Sequence, residues 1–171
     1  MPRVYLSIGS NQQAHAHISA ALDALLLQFR DLALSPVFES EAEGGGAPYL
    51  NLVAGFDTEL TPGALQTWLK QLENKLGRQR LAPTGEVSID LDLLSYGKLN
   101  GRVEGLQLPR PGMVEAAYVL WPLALLAPKE QHPQLRRGYA ELWQDFTPKT
   151  TAIRPVDFIW HERRISNAAS P

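Results

Sequence analysis

Val4, Leu6 and Ile8 alternate with Tyr5 and Ser7, a period of two that predicts a first strand ending in the turn-forming Gly9-Ser10-Asn11. Ile18, Ala21, Leu22, Leu25, Leu26 and Phe29 then recur at helical spacing, so an amphipathic helix is expected over residues 15–30. Extended segments follow at 33–39 and 50–58, separated by a loop at 41–48 whose three consecutive glycines favour neither regular structure. Thr61-Pro62 is a helix-start signal: the hydroxyl can cap free amides, and proline in the first turn sacrifices no hydrogen bond. Leu65, Trp68, Leu69, Leu72 and Leu76 continue that helix to a stop at Gly77, and residues 89–94 form the next apolar, strand-like run. Strand, helix, strand, strand, helix, strand is the order of a ferredoxin-like βαββαβ fold of the α+β class: an antiparallel sheet with both helices on one face and the other left for ligands or loops. Beyond Gly97 the pattern weakens. Residues 118–127 are apolar but interrupted by Pro122, residues 139–146 suit a short helix, and the tail from Thr150 has no clear period. That segment reads as a C-terminal extension.

A length of 171 residues suits one compact domain, expected over residues 1–165, with 166–171 expected to be a disordered tail. Sixteen Lys and Arg against 18 Asp and Glu give a net charge of −2, which speaks against a broad electrostatic grip on nucleic acid. The absence of cysteine excludes disulfides, thiolate metal sites and a cysteine nucleophile, and fits a reducing cytoplasm. No apolar run approaches the ~18 residues of a membrane span. The four histidines, at 15, 17, 132 and 161, form no metal-ligand pattern. A cytoplasmic protein, acting as a monomer without membrane or nucleic-acid partners, is expected.

Asp90-Leu91-Asp92 carries the most chemistry. Aspartate is a poor strand former, yet two stand at i and i+2 inside an apolar run, where alternation places both carboxylates on one face. Like charges that close are costly unless solvated or shared by cations, and Mg²⁺ takes one or two carboxylates while leaving positions for water and phosphate oxygens. A solvated strand face is the plainer alternative. Arg78 and Arg80, leaving the second helix, could present guanidinium forks to phosphate or could complement the helix C-terminus. Tyr49 and Asn51 bring an aromatic face and an amide to the third strand, suited either to a flat heterocycle or to ordinary packing.

Taken in order, Gly9-Ser10-Asn11, Tyr49-Leu50-Asn51, Glu73 with Gly77-Arg78, Asp90-Leu91-Asp92 and Leu120-Trp121-Pro122-Leu123 resemble the 6-hydroxymethyl-7,8-dihydropterin pyrophosphokinase family, over about residues 4–128. The resemblance implies transfer of diphosphate from ATP to the pterin hydroxymethyl group, releasing AMP in folate biosynthesis. It further implies that Asp90 and Asp92 hold two Mg²⁺ ions, that the pterin lies between Tyr49 and Tyr118 with Asn51 reading its polar edge, and that Arg78, Arg80 and Arg110 meet the ATP phosphates. The chain departs from the family pattern in four places. Gly85-Glu86-Val87-Ser88 stands for Gly-Pro-Arg-Thr, a loop tryptophan is missing, Pro109-Arg110 replaces proline-histidine, and Ala116 replaces an arginine. Loss of one pre-positioned donor can cost ~3 kcal/mol in the transition state, so a reduced activity is expected. The alternative is a catalytically weakened homologue that binds a pterin or nucleotide without efficient turnover. An RNA-recognition module shares the strand order, but a single aromatic in residues 51–56 and a negative net charge argue against it.

Overall fold

A computed structural model describes residues 1–42, 45–77, 88–147 and 153–171. In chain order the elements are β1 (Arg3–Ser10), α1 (Ala14–Gln28), β2 (Arg30–Leu34), β3 (Val37–Ser40), β4 (Tyr49–Asp57), α2 (Pro62–Lys75), β5 (Asp90–Tyr96), β6 (Gly101–Val103), β7 (Leu106–Leu108), α3 (Ala117–Leu126), α4 (Tyr139–Gln144), β8 (Ile153–Val156), β9 (Phe158–Trp160) and β10 (Arg163–Ser166). The main sheet is antiparallel in the order β5-β1-β4-β3-β8, with β2 also pairing with β4. This is the expected ferredoxin-like arrangement, with a C-terminal strand added at one edge.

Alternation divides the side chains between two cores. Val4, Leu6 and Ile8 of β1, Leu52, Ala54 and Phe56 of β4, and Leu91 and Leu93 of β5 meet Ile18, Leu22 and Leu25 of α1 and Leu65, Leu69 and Leu72 of α2. Thr61 caps α2 as expected, its Oγ1 accepting the Ala64 N–H, and Gly77 follows the helix at a φ of +86°, where a Cβ would be strained. The second face is not left free, contrary to expectation. Tyr5, Val53 and Leu94 on it pack against Val119, Leu120 and Leu123 of α3 and Tyr139 of α4. The cause is visible in α3, which is apolar on all sides and must be covered. The same burial keeps Pro122 inside a continuous helix.

Three further expectations are corrected. β1 runs through Gly9 and Ser10, which pair with Asn51 and Leu50, so the turn begins later. The segment 33–39 is two strands, because Pro36 interrupts it; the Ser35 hydroxyl takes over by accepting the Val53 N–H at 2.8 Å. The tail from residue 153 is ordered: β8 pairs with β3, β9 and β10 form a hairpin, and buried Ser166 accepts the Val37 N–H at 2.8 Å through Oγ. Ser166 therefore does not belong to a free tail.

One buried contact ties α2 to the sheet edge. β5 is an edge strand, and the outward N–H of Leu91 donates to Glu73 Oε2 at 2.7 Å, while Lys70 Nζ lies 3.2 Å from Oε1. Glu73 is 0% exposed. Removing the acceptor strands a buried donor and leaves a void, so Glu73→Ala should destabilise the protein by about 3 kcal/mol in urea unfolding, and Glu73→Gln, which keeps an acceptor, by about 1 kcal/mol. An alanine variant within about 0.5 kcal/mol of the parent contradicts this account.

Candidate active site

Strand register assembles the site on the second face. Gly9 pairs with Asn51 on one side and Asp90 on the other, and Ser7 likewise lies between Val53 and Asp92. Neighbouring strands are ~4.8 Å apart, so Asn51 and Asp90 flank one glycine in a single row. The missing side chain matters here: a Cβ on Gly9 would sit 3.2 Å from Asn51 Oδ1 and 3.9 Å from the Tyr49 ring. The structure thus sets Tyr49, Asn51, Asp90 and Asp92 on one face of three neighbouring strands. Tyr118, in the first turn of α3, is 43% exposed, and one turn later Trp121 packs on Phe38 of β3 with ring centroids 4.7 Å apart.

The polar groups are held by second partners. Asn51 Nδ2 donates to Ser40 Oγ at 2.8 Å, which fixes the amide so that Oδ1 lies over Gly9 as an acceptor. Ser10 Oγ donates to the Ser88 carbonyl at 2.5 Å, and Ser88 Oγ lies 3.0 Å from both Gln12 Oε1 and the Gly77 carbonyl. These bonds join the end of α2 and the approach to β5 onto the end of β1. Asn11 Nδ2 donates to the Ala47 carbonyl, anchoring the glycine-containing loop beside the same strand end. Arg78 and Arg80 lie outside the described residues, as do Val87 and part of that loop.

The carboxylate pair is under electrostatic tension. Burial first, and then repulsion from Asp90, push the Asp92 carboxyl up to about 6, opposed by the guanidinium of Arg110, whose Nη1 lies 3.5 Å from Asp92 Oδ1. The two carboxyls come close enough to share a hydrogen bond. Arg110 is placed by its own N–H, which donates to the Leu94 carbonyl at 2.7 Å. Two hard oxygen donors on one face suit a divalent cation that keeps several ligand positions for phosphate and water. Among the described residues no group of three or more His, Cys, Asp or Glu is placed to hold a metal ion.

Sequence reasoning missed several supports. Ser7 follows from the strand period, which places it opposite Leu6 and Ile8 and beside Asp92. Glu73 appeared only as a family marker, and Ser40, Gln12 and Ser88 carry no pattern of their own, because their roles arise from long-range pairing.

The profile of the 7,8-dihydro-6-hydroxymethylpterin-pyrophosphokinase family matches residues 5–128. The chain is 37% identical over 139 residues to a 2-amino-4-hydroxy-6-hydroxymethyldihydropteridine pyrophosphokinase of Pseudomonas aeruginosa, covering 78% of this chain and 86% of that protein. A Bacillus subtilis protein of the same description is 34% identical over 125 residues, covering 70% and 75%. The fold is similar to the crystal structure of Plasmodium falciparum HPPK-DHPS wild type with pteroate, with a TM-score of 0.71 at 11% identity. That likeness covers 96% of this chain and 49% of the other, so this chain spans about half its length. Among the described residues no helix is long and apolar enough to cross a membrane.

The raised Asp92 carboxyl has a definite sign in stability. An acid that holds its proton more tightly folded than unfolded costs stability when ionised; the cost is absent below the ordinary value of 3.8 and complete above about 6. In chelator, Asp92→Asn should therefore be more stable than the parent by about 2 kcal/mol at pH 8, and the difference should vanish as the pH falls to about 4. Urea unfolding of both proteins across that range measures it. A variant equal to or weaker than the parent at pH 8 removes the tension.

Proposed function

The chain belongs to the 7,8-dihydro-6-hydroxymethylpterin-pyrophosphokinase family, and from that premise we propose how its own residues perform the reaction. It is a pyrophosphokinase of folate biosynthesis. In this reading ATP supplies the diphosphate, AMP leaves, and two Mg²⁺ ions held by Asp90 and Asp92 are required. The observation that carries the reading is the row Asn51, Gly9, Asp90, which sets an amide acceptor and a carboxylate on either side of one residue that has no side chain.

Asp90 and Asp92 would hold the metal ions, which would supply charge neutralisation on the transferring group, a Lewis-acid contribution worth several kcal/mol. The chain itself positions the reactants. Tyr49 beside Gly9 and Tyr118 at the start of α3 supply aromatic faces for the pterin, and Asn51 Oδ1 accepts from its polar edge. Arg110, within 3.5 Å of Asp92, stands ready to donate to phosphate oxygen, together with Arg78 and Arg80. Attack of the hydroxyl on the β-phosphorus then depends on alignment more than on proton chemistry, because phosphoryl transfer asks the protein mainly for positioning and charge neutralisation. In the same reading the enzyme acts as a monomer in the cytoplasm, a setting that a cysteine-free composition fits.

No observation favours a non-catalytic homologue, so the departures at Val87 and Ala116 bear on rate rather than on the kind of reaction. Incubation with ATP, Mg²⁺ and the pterin alcohol should release AMP and the pterin diphosphate. Asp90→Asn or Asp92→Asn should lower that turnover at least about a hundredfold while the fold survives. Full Mg²⁺-dependent turnover in either variant removes the pair from the active site. Val87→Arg, which restores a cation in the family position, should tighten ATP binding about tenfold in calorimetry. Unchanged affinity means that another group already serves there.

A further inference from the structure

The second face of the sheet ends, opposite the carboxylate pair, in a cleft of about 820 Å³. Gly9 and Asp90 pair at one end of the β1–β5 ladder and Val4 and Tyr96 at the other, so about five residues of strand, roughly 17 Å, separate the two regions. The walls come from the start of β1, from the Gly97-Lys98 turn after β5, and from the loop joining α3 to α4. Four cations, Arg3, Lys98, Lys129 and Arg136, line it against one acid, Glu130, in a chain whose net charge is −2.

Charge pairing around the cleft is uneven. Arg3 Nη1 lies 3.2 Å from Asp57 Oδ1 and donates to the Asp31 carbonyl at 2.7 Å. Arg137 takes both nearby α4-region acids, Glu141 at 2.8 Å and Asp145 at 2.5 Å. Lys98, Lys129 and Arg136 make no ion pair among the described residues. Arg136 also sits at a φ of +57°, a region uncommon for a side chain other than glycine, in a loop closed by its N–H to the His132 carbonyl at 2.8 Å and by a bridge between Gln131 and Gly138.

The remaining lining is built to donate. His132 is 5% exposed, and its Nδ1 accepts the N–H groups of Gln134 at 3.2 Å and Leu135 at 3.1 Å, which places the ring proton on Nε2. Burial pushes its pKa down, so the ring stays a neutral N–H donor. Tyr5 and Tyr139 form the floor; burial raises both phenols, keeping them protonated, with Tyr139 hydrogen-bonded to Ser95 and Tyr5 to Arg3. Glu130 faces both phenols, and Asp57 faces Tyr5.

From the three uncommitted cations, the fixed imidazole donor and the neutral floor gathered in one concave site, we infer that this cleft binds a small, multiply charged phosphorylated anion, separately from the carboxylate pair. Guanidinium and ammonium groups around a cavity of this size suit a compact polyanion such as a diphosphate or a nucleotide tail. An extended nucleic acid fits less well, because the surface outside the cleft is acidic on balance.

Inorganic pyrophosphate, titrated into isotope-labelled full-length protein in chelator, is the probe, followed by amide shifts; without divalent ions the carboxylate pair repels it. Saturable shifts should appear at Gly97, Lys98, Gln131 and His132 and not at Asp90 to Asp92. The double variant Lys129→Gln with Arg136→Gln, whose exposed side chains support no core, should weaken binding at least about tenfold with thermal stability unchanged. Absence of saturable shifts up to about 10 mM pyrophosphate, or equal affinity in the double variant, overturns the inference. So does a single-stranded oligouridylate that binds the same residues at least about tenfold more tightly, since that result makes the cleft part of a nucleic-acid surface.

Discussion

The hydrogen bond from the Leu91 N–H to the Glu73 carboxylate decides much of what the second half of the molecule can do. Leu91 belongs to an edge strand, and an edge strand presents donors that need partners. By taking the donor between Asp90 and Asp92, Glu73 fixes the strand against α2 and holds Leu91 in the first core. Strand alternation then leaves both aspartates no choice but the second face. A buried carboxylate is a costly support even with a lysine beside it. Here it couples the register of the acidic strand to the helix whose end leads into Arg78.

The site that results works against the stability of its own scaffold. Two carboxylates close enough to share a hydrogen bond, one of them largely withdrawn from water, repel each other, and Arg110 relieves only part of that repulsion. A protein selected only for stability would not place them so. The tension is a reservoir that a cation or a polyanion carried by cations can discharge, so ligand binding gains what folding gives up. Gly9 contributes in the same sense: a larger residue would add packing to β1, yet its Cβ would crowd Asn51 and the tyrosine beside it.

Much of this was legible in the residues because the signals were local. The period of two in Val4 to Ile8, the Thr61-Pro62 start, Gly77 after α2 and the outward pair at 90 and 92 each depend on neighbours in sequence, and each stands where expected. The errors arose where distant parts decided. Gly9 and Ser10 look like a turn but are held in β1 by β4, Pro36 divides an apolar run because Ser35 can substitute for a strand partner, and Ser166 is buried through Val37, 129 positions away. The short helix expected over 139–146 is α4, but α3 beside it was hidden for another reason: a helix apolar on all sides has no period to read, and Pro122 disguised it further.

That hidden layer explains why one sheet face carries two chemically opposite ends. α3 and α4 cover the middle of the face, where Tyr5, Val53 and Leu94 are apolar, and their connecting loop folds back over the end of β1 that bears Arg3. The opposite end of the same strands carries Asp90 and Asp92. β1 and β5 run between the two ends, so the packed middle layer is what separates a cationic end from an acidic one on the same pair of strands.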